Sequence, residues 1–152
     1  MRKSILISIC GILLFALPSI AQSDKEADQI LGLWLTGSKK GKVKIYKCGD
    51  KYCGKIVWLR EPYREDGSEK LDRENPDEEL QKRKIIGTNI LSGFVYDEDL
   101  EWEDGEIYDP DNGKTYSCVI NYIPEKNLLE VRGYIGFSLL GRTEEWLKTT
   151  LD

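Results

Sequence analysis

The stretch VKIYKCGDKYCGKIVWL, residues 43–59, decides the fold class of this chain. Apolar and polar residues alternate on both sides of a short polar segment, residues 49–52, which is typical of two antiparallel strands joined by a tight turn. Cys48 and Cys53 flank this turn and are expected to lie opposite each other. In that register four residues share one apolar inner face: Val43, Ile45, Ile56 and Trp58.

The rest of the chain continues this rhythm of short runs separated by turn residues such as those at 37–41, 109–113 and 124–127. A short helical turn at 23–31 precedes the first strand. The pattern predicts an all-β, antiparallel domain with eight strands, at residues 33–36, 43–48, 53–59, 89–96, 106–108, 115–123, 128–135 and 143–148.

The N-terminus predicts export. Arg2 and Lys3 precede an apolar run at 5–17, and small residues lead up to a cleavage position after Ala21. The run is shorter than the ~20 residues that a membrane span needs, so residues 1–21 are expected to be a cleaved signal peptide. We therefore expect a single periplasmic or extracellular domain, residues 22–152, that does not span the membrane once processed.

Three cysteines remain after this cleavage, and an oxidising compartment favours a disulfide between Cys48 and Cys53. Residues opposed across a hairpin have Cα atoms about 4.5 to 5.5 Å apart, which a disulfide tolerates. Three reduced thiols are the alternative. Cys118 shares a face with apolar neighbours and is expected to be a buried free thiol.

The segment 61–84 is highly charged and departs from the strand rhythm. It is either a solvated loop or a short helix at 76–82 with Asn75 as its N-cap. Long loops in compact domains are often functional, although plain surface is an alternative. A Ca²⁺ site on Asp72, Asn75 and Asp77 is conceivable, but this spacing does not match the regular calcium loop.

Charge and composition exclude several functions. Removing the two signal cations from 22 basic residues leaves 20 against 27 acidic ones, a net charge near −7 that disfavours nucleic-acid binding. The chain has no histidine, which removes the usual nucleophile activation and most catalytic metal sites. We expect no catalytic residues, no metal and no cofactor, and hence no enzyme; converging carboxylates would be the exception.

Two segments resemble the lipocalin and wider calycin pattern: Gly32-Leu33-Trp34 on the first strand and Gly141-Arg142-Thr143 on the last. The resemblance implies a barrel in which the Arg142 guanidinium lies over the Trp34 indole at the closed end, both residues being structural.

The chain is also similar to a family of exported bacterial proteins catalogued as a domain of unknown function, number 2147. That resemblance implies location and a calycin-type barrel but supplies no activity. It rests on segments that span the mature domain: Gly32-Leu33-Trp34, 45–49, 52–58, 75–77, 107–110, 112–116, 132–136, 140–143 and Trp146.

The expected function is the binding of a small apolar or amphipathic molecule in the barrel lumen or mouth. Three inward aromatic residues are the predicted ligand contacts: Trp58, Phe94 and Tyr116. The competing structural interpretation is that these aromatics fill a closed core. The alternative function is an envelope protein-interaction module that uses the loop 61–84.

Overall fold

The chain forms a closed eight-stranded barrel in a computed structural model that describes residues 25–151. Each strand pairs antiparallel with the next, and β8 returns to β1. This confirms the predicted all-β architecture. The strands are β1 (Gly32–Leu35), β2 (Gly41–Cys48), β3 (Lys51–Leu59), β4 (Asn89–Tyr96), β5 (Glu101–Asp109), β6 (Lys114–Ile123), β7 (Leu128–Tyr134) and β8 (Gly141–Lys148).

The fifth strand is longer than its sequence suggested, since it begins at Glu101 instead of residue 106. Acidic side chains on its outer face hide the alternation. Trp102 lies on the inner face and is fully buried, and it pairs across the sheet with Ile120. One large buried indole therefore anchors a segment whose composition looks like a loop.

The predicted register of the first hairpin is wrong. Gly49 has a φ of +73°, and the strands are joined by only two residues, so Cys48 lies opposite Lys51. A glycine in the first position favours this compact turn over the four-residue loop that was expected. Further along the hairpin, the pairing register shifts between Lys42 and Val43. Trp58 therefore lies opposite Lys42, whereas the predicted register placed it opposite Val43.

The disulfide between Cys48 and Cys53 is confirmed, although the two residues lie diagonally across the hairpin and not directly opposite. Their Cα atoms are 5.9 Å apart. The bond fits an oxidising compartment, while export itself stays a prediction because residues 1–21 lie outside the described residues.

Replacing both Cys48 and Cys53 by serine is expected to lower the free energy of unfolding by about 2 kcal/mol, because the closed loop is short. Urea unfolding of the double variant measures this loss. The reduced wild-type protein should lose the same amount, whereas unequal losses would show that serine itself perturbs the hairpin.

The N-terminal helical turn closes one end of the barrel. Residues 25–27 are helical and a 3-10 turn follows at Asp28–Ile30. Ile30 is fully buried, and its carbonyl oxygen accepts a hydrogen bond of 2.8 Å from the Trp34 indole nitrogen. Asp28 accepts one from the Tyr52 hydroxyl at 2.7 Å and forms an ion pair with Lys47 at 2.8 Å.

The packed core fills this closed half of the barrel. It is built from large side chains that are almost wholly buried, among them Trp34, Val43, Leu91, Phe94, Trp102, Ile120 and Leu129. Among residues 25–151, no helix is long and apolar enough to cross a bilayer.

Cys118 is a buried free thiol, as predicted. Burial raises the pKa of this thiol to about 12, so it stays protonated at neutral pH. We expect an aromatic disulfide reagent to leave Cys118 unmodified in the native protein at pH 8 and to titrate one thiol after denaturation. Rapid labelling of the native protein would contradict the burial of this group.

Candidate functional site

An open cavity of about 1010 Å³ occupies the end of the barrel opposite the N-terminal turn. The β1–β2, β3–β4, β5–β6 and β7–β8 connections surround its mouth. Its wall is apolar where it is buried, and the buried lining residues are Ile56, Ile85, Ile90, Val131 and Trp146. Half-buried Ile107, Tyr108 and Tyr116 extend this wall toward the mouth.

The mouth carries charges of both signs in equal number. Four cations and four anions line it: Lys40, Arg60, Lys70, Arg142, Glu61, Asp109, Asp111 and Glu144. Two pairs neutralise each other, Lys70 with Glu61 at 3.7 Å and Arg142 with Glu144 at 3.3 Å. The site therefore combines an apolar interior with a polar, electrically balanced rim.

Trp146 is the buried lining residue with an unused polar group. The residue is 2% exposed, and its indole N–H has no acceptor among the described residues. The indole N–H of Trp102 is in the same situation, but Trp102 does not line the cavity. A buried donor without an acceptor is costly, so an acceptor supplied from within the cavity would be stabilising.

The long β3–β4 connection forms one wall of the mouth and is fixed to the barrel by a buried carboxylate. Asp72 is fully buried and forms an ion pair with Arg83 at 2.8 Å. It also accepts hydrogen bonds from the Tyr108 hydroxyl at 2.6 Å and from the Asn75 amide at 2.9 Å. Since Tyr108 belongs to β5 and lines the cavity, this node couples the loop to the cavity wall.

The structure of the segment 61–84 bears on two expectations, a helix at 76–82 and a Ca²⁺ site that includes Asp72. The predicted helix at 76–82 is only a 3-10 turn, Leu80–Lys82. Both oxygens of Asp72 are occupied by protein donors, so the side chain serves as an anchor for the loop. Burial, followed by the hydrogen bond to Asp72, raises the pKa of Tyr108 to about 12, which keeps its hydroxyl a donor. A protein-binding role for the loop stays a prediction.

The β5–β6 turn is packed against this loop. Gly113 has a φ of +70°, whereas Asn112 has no positive φ. A side chain on Gly113 would collide with the backbone of Glu74, so glycine permits the close approach. Other residues of the turn line the cavity, which gives the segment 109–113 a place in the site as well as in the hairpin.

Of the three predicted ligand contacts, only Tyr116 lines the cavity. Phe94 faces inward but lies in the packed half of the barrel, with its ring against Gly105. Trp58 does not line the cavity or join the core, so the expectation that it faces inward is wrong. The irregularity in the first hairpin sets it beside Lys42, whose ammonium lies 5.1 Å from the ring centroid.

The structure separates Trp34 and Arg142, which were expected to form a pair. Trp34 is fully buried at the closed end, but the cation over its ring is Lys148, with Nζ 4.7 Å from the centroid. Burial lowers the pKa of this ammonium, which also donates to the Leu31 carbonyl oxygen. Arg142 begins β8 at the opposite end of the barrel, on the rim of the cavity.

Sequence reasoning missed Trp146 and Ile107 as cavity residues. Their signal in the sequence was weak, because Trp146 is followed by the apolar Leu147 and Ile107 by Tyr108, so neither strand shows a clean alternation of apolar and polar residues there. It also missed Asp72 as an anchor, because no local pattern pairs it with Tyr108 across a separation of 36 residues.

Comparisons with known proteins agree with this architecture. Residues 32–148 match the family described as "uncharacterized protein conserved in bacteria (DUF2147)". Among solved structures, a protein of Helicobacter pylori, described as "Protein HP1028 from the human pathogen Helicobacter pylori belongs to the lipocalin family", superposes with a TM-score of 0.68. It is 21% identical, and the match covers 80% of this chain and 84% of that one. No curated protein matches the sequence.

Proposed function

This chain belongs to the DUF2147 family, and we propose that its barrel binds one small amphipathic molecule in the open cavity. The observation that carries this proposal is the contrast between the two halves of the barrel. One half is filled by tightly buried side chains, whereas the other holds a cavity of about 1010 Å³. This volume is near the upper end of the range for small-molecule sites, roughly 300 to 1000 Å³.

The distribution of polarity supports an amphipathic ligand with its apolar part inward. Buried isoleucine and valine side chains would contact the apolar part, and burial of that part would drive binding. The balanced rim favours a polar head that is neutral or zwitterionic over one with a large net charge. At the inner end of the cavity, the Trp146 indole N–H would donate a hydrogen bond to an oxygen near the end of the apolar part of the ligand.

We further propose that the protein acts by binding and not by catalysis. The chain contains no histidine, and its cavity wall is dominated by aliphatic and aromatic groups. Among residues 25–151, no group of three or more cysteine or acidic side chains is arranged to hold a metal ion.

The first test is displacement of the dye 1-anilinonaphthalene-8-sulfonate by dodecylphosphocholine, followed by fluorescence. We expect saturable binding of one molecule per chain and competition between dye and amphiphile. Mass spectrometry of the natively purified protein would then identify a co-purifying molecule. An absence of saturable binding of either probe would overturn the proposal.

Replacing Trp146 by phenylalanine is expected to weaken binding of 1,12-dodecanediol about fivefold and to leave 1-dodecanol binding little changed, because only the diol brings an oxygen to the buried indole N–H and an aromatic ring is kept. Trp102→Phe is the matched control, since it removes the other unpartnered indole N–H from the packed core. Equal weakening in both variants would mean that core packing, and not the donor in the cavity, controls affinity.

A further inference from the structure

The β7–β8 connection exposes a cluster of large apolar side chains at the cavity mouth. Its members are Ile135 at 68% exposure, Phe137 at 77%, Leu139 at 89% and Leu140 at 77%. Residues 133–141 contain no charged residue, although 32% of the whole chain is charged. Exposed apolar clusters of this kind mark interaction sites, whereas single exposed apolar residues need no explanation.

This cluster is continuous with the wall of the cavity. Ile135 and Leu140 both line the cavity, while Phe137 and Leu139 do not and extend the apolar surface outward. A molecule that leaves the cavity on this side therefore stays in contact with apolar side chains as it reaches the tip of the loop.

Two arginines lie at the base of the loop. Arg132 and Arg142 occupy neighbouring rungs of the β7–β8 ladder, where they pair with Thr143 and Gly133. The Arg142 side chain is 86% exposed, and binding a phosphate would replace its ion pair with Glu144. Guanidinium groups bind phosphate oxygens well, and an apolar tip bounded by cations matches the change from acyl chains to phosphates across a bilayer surface.

We propose that the β7–β8 loop inserts its apolar tip into the surface of a lipid bilayer, with Arg132 and Arg142 at the level of the lipid phosphates. The open end of the barrel then faces the bilayer. The acidic β4–β5 turn, residues 97–100, lies at the opposite end of the barrel and points away from anionic lipid. Membrane docking does not depend on ligand binding. Where both occur, an amphiphile could pass directly between the bilayer and the cavity.

A bilayer suits this patch better than a second copy of the chain does. Four side chains expose an apolar area on the order of 500 Å², less than the ~800 Å² that each partner buries in a standard protein interface. Insertion into a bilayer needs no complementary surface, so a small apolar tip is sufficient.

Flotation with vesicles of phosphatidylcholine and phosphatidylglycerol in a ratio of about three to one tests the proposal. The wild-type protein is expected to float with the vesicles. The variant Phe137→Ser/Leu139→Ser should lose at least about tenfold in vesicle affinity, because two inserted apolar groups are removed. Leu147→Ser/Leu151→Ser removes two exposed apolar residues toward the opposite end of the barrel and should float like the wild type.

Three results would overturn the proposal: no flotation of the wild-type protein, equal flotation of both double variants, or a dimer that the loop variant dissociates without any vesicle binding. Dye binding in solution separates this test from the proposed function. Phe137 and Leu139 do not line the cavity, so their double variant should bind the dye with unchanged affinity. If the wild-type protein floats with the vesicles but binds no dye, the docking proposal stands and the proposed ligand binding is refuted.

Discussion

Replacing Asp72 by asparagine is expected to destabilise the protein by about 3 kcal/mol and to release the β3–β4 loop from the barrel. Asp72 is fully buried and is the only acid with which Arg83 forms an ion pair among the described residues. An asparagine keeps one oxygen for Arg83 but presents an NH₂ to Tyr108, whose O–H then loses its acceptor, and it removes the negative charge beside Arg83. The Arg83 side chain is 34% exposed and keeps contact with water, so most of the cost falls on the hydrogen bonds that the buried Asp72 accepts from Tyr108 and Asn75.

Two measurements check this expectation, urea unfolding and limited digestion with trypsin. The loop carries several basic residues at which trypsin can cut, including Arg73 and Arg83. Cleavage within residues 60–88 should accelerate strongly in Asp72→Asn while the remainder of the barrel stays protected. The loop can open without unfolding the barrel, so digestion should respond more sharply than global unfolding.

Glu78→Gln is the matched control because it makes the same change of charge at an exposed position in the same loop. It should leave both unfolding and digestion within experimental error of the wild type. If Asp72→Asn behaves like this control, the buried node does not hold the loop. The loop also lines the cavity mouth through Glu61 and Lys70, so weaker dye binding should accompany its release.

The contrast between Asp72 and the strands shows what could be predicted from sequence. Strand positions depend on a two-residue alternation and on local turn chemistry, and both are visible in a single stretch such as residues 43–59. The anchoring of the loop depends on a contact between Asp72 and Tyr108, which are 36 residues apart. No local pattern encodes that contact, and the many charged residues around Asp72 suggest a solvent-exposed loop instead.

Register errors explain why Trp58, one of the three predicted ligand contacts, lies outside the cavity. The first hairpin turns through two residues instead of four, and one irregularity near Val43 then moves Trp58 away from the inner face. A shift of a single residue reverses the face of every side chain beyond it. Tyr116 lies on β6, whose ladder with β7 has no register shift from Ser117 to Ile123, and its side chain lines the cavity.

The error in predicting Arg142, and not Lys148, as the cation over Trp34 has a similar origin. The resemblance to calycins implies a cation over the tryptophan of the first strand, and both Arg142 and Lys148 lie on β8. Pairing of Trp34 with Lys148 in the β1–β8 ladder decides between them, and that ladder closes the barrel across more than 100 residues. Closure of the barrel therefore determines which cation lies over Trp34, and the order of residues along β8 does not reveal it.

Replacing Gly133 by phenylalanine is expected to abolish binding of the dye and of dodecylphosphocholine, with at least about a hundredfold loss of affinity. Gly133 lies opposite Cys118 on the inner face of β7 and lines the cavity. A Cβ atom there would lie 3.3 Å from Cγ2 of Ile107 and 3.7 Å from Cβ of Tyr116, both of which are cavity residues. The backbone of Gly133 requires no positive φ, so a larger side chain can be accepted without backbone strain.

A benzyl group at this position would occupy the space that the ligand needs. Because its ring extends into an existing cavity, and the Ile107 side chain can shift into that cavity to admit the Cβ atom, it should cost little stability. Glu130→Phe is the matched control, since Glu130 is on the same strand but alternates with the buried Leu129 and Val131 and so faces outward. It should bind both probes like the wild type. Retained binding in Gly133→Phe, with urea unfolding showing an intact fold, would place the ligand outside the cavity and refute the proposed function. Loss of binding in Gly133→Phe alone would locate the ligand between β5, β6 and β7, because these strands surround the introduced ring.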